Sequence, residues 1–267
     1  MITAPVEEMI DLIKQERHIE ESLDIDLLKK TGCFVLKNVL SKKTIQKYYS
    51  AYQEETKTGQ LKRTQHHITE IKVTESSLLV NILKEPEFVA VANKFFHSQV
   101  GADFVRVVKK DAIDTAAVFL HQDTGYQIGS FERYSLFIAL TECSPANGGL
   151  ALYPGTHHFG YLGDAGEIND VLPADYPLLE PDLKAGDIII MHSAVWHKSA
   201  QNRIGTERVY LEVHLQHIDE PTTKFEICGE KTSPWSLTLS PNELFKSSRT
   251  QKLQGLYKEL NSYKSQK

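Results

Sequence analysis

Cysteine is scarce in this chain, and what there is does not pair. Cys33, Cys143 and Cys228 are odd in number and widely separated, and none stands in a Cys-x-x-Cys arrangement, so neither a disulfide framework nor a structural zinc site is expected. They read as reduced, buried thiols. Long apolar runs are missing too: no stretch approaches the roughly 18 consecutive apolar residues that a membrane-spanning helix needs. Met1 to Arg17 carry acids throughout and lack the basic-then-apolar order of a secretory leader, which leads us to expect a soluble, cytoplasmic protein. Positive charge is short as well. Thirty Lys and Arg face 35 Asp and Glu, a formal net charge of -5, so no global positive field exists to hold a nucleic-acid backbone or an anionic membrane. A small-molecule partner is the expectation, and oligomeric state is unreadable. No internal repeat or low-complexity tract points to a solenoid.

With 41% hydrophobic and 24% charged residues the chain has the composition of a globular protein with a real core. Its 267 residues fit one domain of barrel or sandwich type. Within residues 1–267 we expect a mainly helical flank over 1–98, a β core over 99–220 and an extension with a helix over 221–267. In the flank, Gly32-Cys33-Phe34-Val35-Leu36 reads as a short strand. Ser41 is a helix N-cap, followed by Ile45, Tyr48, Tyr49 and Tyr52 at helical spacing. Gly59 to Ser76 reads as a polar, basic, irregular loop, and Pro86 to about Phe96 as a helix. Short runs rich in Val, Ile, Leu, Phe and Tyr then recur at 103–108, 116–120, 134–140, 149–153, 187–191 and 208–215. Turn residues separate them, which indicates an antiparallel sandwich or barrel. The insert from Pro154 to Asp182 is too long for a hairpin turn and is a candidate active-site loop. Ser240, Pro241 and Glu243 fit the start of a closing helix.

The chemistry concentrates in the β region. Phe119-Leu120-His121-Gln122-Asp123 ends an apolar strand with an imidazole and a carboxylate two positions apart, and residues i and i+2 of an extended chain face the same side. His197, beyond the apolar run 187–191, offers a third ligand. Two His and one carboxylate on one octahedral face leave three positions open, the arrangement of non-haem Fe(II) oxygenases. Arg208 opens the next strand, and a permanently charged guanidinium aimed into a barrel suits the distal carboxylate of 2-oxoglutarate.

Together with Asn147-Gly148-Gly149-Leu150, Pro154-Gly155-Thr156-His157, Ala185-Gly186-Asp187 and the strand 32–38, these residues resemble the phytanoyl-CoA dioxygenase family of Fe(II)/2-oxoglutarate-dependent oxygenases. The likeness extends to about His217. It implies a mainly β fold with flanking helices, a double-stranded β-helix or jelly-roll barrel, with Fe(II) as metal, 2-oxoglutarate as co-substrate and O2 as oxidant. In that light His121, Asp123 and His197 match the iron ligands and Arg208 the carboxylate anchor. Ser199 and Ser135 match positions that hydrogen-bond the co-substrate. Related halogenating enzymes lack the carboxylate ligand, so Asp123 favours hydroxylation, while desaturation, epoxidation and ring chemistry use the same triad. The substrate expected from the basic 59–76 loop is a small polar or anionic metabolite.

Other residues compete for roles. His192 reads as a core histidine near the site. His157 and His158 divide between substrate contact and packing. Arg203 falls in an exposed turn, His66 and His67 in a polar loop, and Lys109, Lys110 and Gln122 receive no role. Two further readings stand beside the oxygenase: a barrel using a divalent metal as Lewis acid without redox chemistry, and a binding protein on a decayed oxygenase fold.

Overall fold

A computed structural model of the chain describes residues 23–63, 70–123, 129–160 and 172–235. Helix α1 (Ile25–Thr31) starts where the Asp24 carboxylate accepts the Leu27 N–H at 2.9 Å, and it stops at Gly32 in the left-handed region. A side chain at Gly32 would collide with the His157 ring, so glycine here both ends the helix and admits that histidine. Strand β1 (Cys33–Leu36) follows, wholly buried. Helix α2 (Lys42–Lys57) is capped by Ser41, whose hydroxyl accepts from the Thr44 N–H. Ile45, Tyr48 and Tyr52 of its stripe are buried and Tyr49 half-buried, as expected of a packing face. The hydroxyls of Tyr49 and Tyr52 both donate to Glu207.

After α2 come β2 (Lys62–Arg63) and β3 (Glu70–Lys72), then a 3-10 helix at Leu78–Lys84 and α3 (Pro86–Ala92). The barrel strands are β4 (Val100–Lys110), β5 (Val118–His121), β6 (Tyr134–Ala139), β7 (Leu150–Tyr153), β8 (Ile188–His192), β9 (Trp196–Ser199), β10 (Arg208–His217) and β11 (Phe225–Cys228). They form two antiparallel sheets, an eight-stranded one in the order β1-β8-β6-β10-β4-β3-β2 with β11 also on β4, and a three-stranded one in the order β5-β9-β7. The fold is the expected jelly-roll barrel.

Alternation along these strands separates two apolar clusters. Leu136, Ile138, Ile188, Ile190, Val209, Leu211 and Val213 face outward and pack under the helices with Tyr48, Leu79 and Phe88. Phe137, Ala139, Ile189, Met191, Tyr210, Leu150 and Leu152 face inward and close the barrel's interior. Residues 208, 210, 212, 214 and 216 of β10 share the inward face. That places Arg208, Glu212, His214 and Gln216, all essentially sealed from solvent, inside the molecule.

Two expectations need correction and two gain detail. The 59–76 segment is not wholly irregular, because Glu70–Lys72 adds to the edge of β4 opposite 106–108, and cross-strand pairing outweighs its polar composition. The helix from Pro86 ends at Ala92, after which the chain turns so that Phe95 packs on Tyr134 at 5.0 Å. His197 lies beyond β8 as expected, within a further strand, β9, whose Trp-His-Lys-Ser sequence carries only one apolar residue. At the end of the insert after Pro154 the chain rejoins the barrel: Leu179 pairs with Leu152 and, just beyond, Leu183 with Cys143, and both leucines join the interior cluster. The expected closing helix around 240–260, His66 and His67, and residues 161–171 lie outside the described residues. Cys33 and Cys143 are buried free thiols, while Cys228 is half-buried. Among the described residues no helix is long and apolar enough to cross a membrane.

The Ala185-Gly186-Asp187 motif has a structural purpose. The buried Asp187 carboxylate accepts the backbone N–H of Asn38 and of Lys184, each at 2.8 Å, and pairs with Lys37 Nζ at 3.1 Å, tying the exit of β1 to the entry of β8. Asp187→Ala strands those donors and is expected to cost about 2–4 kcal/mol in urea unfolding. A loss below about 0.5 kcal/mol would contradict this role.

Candidate active site

Strands β5 and β9 run side by side with His121 opposite His197, so the register alone brings the two rings to a centroid distance of 4.1 Å. Asp123, two residues beyond His121, is held by its backbone N–H to Ser193 O at 2.9 Å. Its carboxylate oxygens lie 3.6 Å from His121 Nε2 and 3.8 Å from His197 Nε2. One ligand atom from each of the three lies within 4.8 Å of the others. Among the described residues this is the one His/Cys/Asp/Glu group so arranged. Each imidazole is oriented from behind: Nδ1 of His121 bonds Phe119 O at 2.7 Å and Nδ1 of His197 bonds Val195 O at 3.0 Å. A ring that donates from Nδ1 to a carbonyl presents a bare Nε2, the state a metal requires.

The electrostatics favour the same state. Burial, and then the neighbouring His121, push the His197 pKa down to about 4, so it is neutral near pH 7. For Asp123 burial acts upward, but His197, His121, Arg106 and His214 together outweigh it and hold the carboxyl below its ordinary range. Two imidazoles that present Nε2 and a carboxylate are a donor set suited to a divalent ion.

One strand step away lies a pocket of opposite character. Ser199 follows His197 by two residues on the inward face of β9, roughly 7 Å along the strand. Its hydroxyl accepts from Lys110 Nζ at 2.8 Å. Lys110 pairs in register with Arg208 across β4 and β10. Arg208 is 1% exposed, its guanidinium 4.8 Å over the Tyr210 ring, and none of its three nitrogens has a hydrogen-bond partner among the described residues. A sealed guanidinium with no described acceptor is suited to an anion, so these residues fit a carboxylate-bearing co-substrate.

Ser135 is not at this end. It sits opposite His214 on β10, six positions from Arg208, in the row where Ser193 Oγ meets His214 Nε2 at 3.3 Å; its own buried hydroxyl has no described partner. That row belongs to the metal end, since Ser193 also holds Asp123. Beyond the triad the wall is polar: Arg106 forks onto Glu212 through Nε and NH2, His214 bonds Asp103 at 2.6 Å, and Phe104 stacks on His214 at 4.9 Å.

The competing residues separate clearly. His157 and His158 contact the carbonyls of Lys29 and Lys30 at the end of α1, which is a packing role. His192 lies against His157 and Tyr134, outside the barrel. Arg203 is exposed. Gln122 is buried and ties Gly160 O to Ala194 O, and Lys109 pairs with Asp111 and Asp114. Lys110 and Arg106 are the site residues that sequence reasoning left without a role. The available signal was a basic residue at every alternate inward position of an apolar strand end.

A family model described as Phytanoyl-CoA dioxygenase (PhyH) matches residues 28–209. The chain is 24% identical to dioxygenase olcK of Penicillium canescens over 179 residues, 60% of this chain and 57% of olcK, so it spans little more than half of that relative. It is 24% identical to dioxygenase trt7 of Aspergillus terreus (strain NIH 2624 / FGSC A1156) over 203 residues, 68% of each. Among solved structures it is similar to the epimerase SnoN in complex with Fe3+, alpha ketoglutarate and nogalamycin RO, with a TM-score of 0.65 and 15% identity over 88% of this chain and 98% of SnoN. At that identity the likeness is one of fold.

The unpartnered guanidinium carries a prediction that needs no ligand. Replacing a buried, uncompensated cation by an apolar side chain of similar length relieves its desolvation, so Arg208→Met is expected to raise the unfolding free energy of the ligand-free protein by about 1–3 kcal/mol. A destabilised variant in denaturant titration would show that Arg208 is a structural residue instead.

Proposed function

The chain belongs to the phytanoyl-CoA dioxygenase family, and we propose that it is a 2-oxoglutarate-dependent non-haem iron oxygenase using Fe(II), 2-oxoglutarate and O2. On that footing we propose that it hydroxylates an unactivated C–H bond of a small polar or anionic metabolite, releasing succinate and CO2. His121, Asp123 and His197 hold the iron, Arg208 anchors the distal carboxylate of 2-oxoglutarate with Ser199 beside it, and Ser135 serves the metal end. The observation that carries this reading is the partnerless Arg208, on the inward face one strand step from three converging ligand atoms.

Iron and 2-oxoglutarate, when bound, supply with O2 the oxidant that cleaves a C–H bond. The chain's own work is placement. Nδ1 contacts to Phe119 O and Val195 O lock both imidazoles, and three protein ligands would leave the metal open to co-substrate and O2. The apolar interior formed by Leu152, Met191 and Val195 keeps water from the metal's inner side. The fork of Arg106 on Glu212 and the Asp103-held His214 give the wall beyond the triad fixed charge and hydrogen-bonding groups, which supports a polar or anionic substrate rather than a plain hydrocarbon chain. Asp123 occupies the ligand position that halogenating relatives leave open, which supports hydroxylation. SnoN is an epimerase, so the outcome on this scaffold is set by how substrate is held. Family membership favours this reading over the non-redox Lewis-acid barrel.

Adding Fe(II) and then 2-oxoglutarate to metal-free protein without oxygen is expected to produce the weak visible band of the iron chelate. His121→Ala or Asp123→Ala should abolish it while the fold, followed by circular dichroism, persists. Admitting O2 should then release succinate slowly even without substrate. Metal uptake with no band at saturating 2-oxoglutarate would contradict the co-substrate assignment.

A further inference from the structure

Arg208 is not the only cation sealed into that end of the barrel. Lys110 is 0% exposed, and its Nζ donates to Ser199 Oγ at 2.8 Å and to the carbonyls of Ala200 at 2.5 Å and Ser199 at 3.4 Å. These acceptors are neutral, and among the described residues no carboxylate pairs with it. Neighbouring Lys109 points the other way, to Asp111 and Asp114. Two basic side chains opposite each other in register, both buried and both without a counter-anion among the described residues, leave positive charge at this end of the barrel unbalanced.

We propose that Lys110 is a second anchor for the distal carboxylate of 2-oxoglutarate, its Nζ taking that group together with the Arg208 fork, so that co-substrate selection rests on a two-cation clamp bridged to the metal strand by Ser199. The inference rests on the reading of Arg208 given above. The clamp is built as a unit. Gly148, at φ +79°, lies where a Cβ would come within 2.8 Å of Lys110 Cδ and 2.7 Å of Ala200 O, so the Asn147-Gly148-Gly149 motif leaves the space through which the lysine stem reaches the pocket. Lys110 and Arg208 enter from adjacent strands of the large sheet and Ser199 from the small one, so the anion would be gripped across both sheets.

A proton linkage follows. Burial, and then Arg208, push the Lys110 pKa down to about 7, while the other titratable groups at this end, Cys143 and Tyr210, are kept protonated by burial. An arriving carboxylate stabilises the charged lysine and raises its pKa, so binding takes up a proton above pH 7. Affinity then falls as pH rises, by at most tenfold per unit.

The test is anaerobic titration of 2-oxoglutarate into Fe(II)-loaded protein at pH 6.5 and 8.5, read by the chelate band, for wild type, Lys110→Met, Lys110→Gln and Arg208→Met, with iron content and circular dichroism checked for each. Wild type should weaken between the two pH values. The Lys110 variants should need about ten- to a hundredfold more 2-oxoglutarate and lose the pH dependence, with iron uptake unchanged. Lys110 variants that bind like wild type with the same pH slope, while Arg208→Met fails, would overturn the proposal and leave the Arg208 anchor standing. Indifference of all variants would overturn both. If the Lys110 variants do not fold, wild-type calorimetry in two buffers of different ionisation enthalpy decides, and absence of proton uptake at pH 8 overturns the proposal.

Discussion

A guanidinium shut away from water and from every described acceptor is unfavourable unless the protein has a use for it, and the interior of this barrel is arranged around that one side chain. Arg208 opens the inward face of β10, with Lys110 across from it and Ser199 closing the pocket from the opposite sheet. The apolar interior cluster, from Phe137 to Tyr210, surrounds this end and keeps it dry. In a low-dielectric pocket the attraction between cation and carboxylate is far stronger than it would be in water. Instability of the empty site and affinity for its ligand therefore have the same origin.

In the proposed reading strand β9 links this pocket to the metal site. His197 and Ser199 lie on one face of it, two residues apart, so a single extended segment fixes the separation between the metal ligands and the anion end at one pleat repeat. Cross-strand pairing sets His121 against His197, and the tether from Asp123 N–H to Ser193 O carries the carboxylate to the same point. None of these placements depends on a long side chain finding a rare conformer. They follow from register, which one buried face per sheet enforces.

Much of this was legible in the chain because the decisive spacings are local. A His and an Asp at i and i+2 after an apolar run, a later His, and an Arg at a strand start are visible without knowing which strands pair, and the barrel class follows from six turn-bounded apolar runs. What escaped is non-local. Lys110 matters because of its register with Arg208, ninety-eight positions on (208 − 110), and Arg106 because Glu212 stands opposite; in sequence both are basic residues in a Val-rich strand. Strand β9 went unread because Trp-His-Lys-Ser has little apolar content, its outward positions being covered by the turn at Thr156, whose hydroxyl accepts the Trp196 N–H. The sequence left His157 and His158, beside a Pro-Gly turn, divided between substrate contact and packing, because the helix end they bond, at Lys29 O and Lys30 O, is brought near only in the folded chain.

The most direct test of the account is a crystal structure of the protein loaded anaerobically with Fe(II) and 2-oxoglutarate, with the metal located by anomalous scattering at the iron edge. The account predicts one anomalous peak coordinated by His121, Asp123 and His197, and a co-substrate whose far carboxylate lies between Arg208 and Lys110. A peak elsewhere, or a carboxylate that leaves Arg208 unpaired, would contradict it.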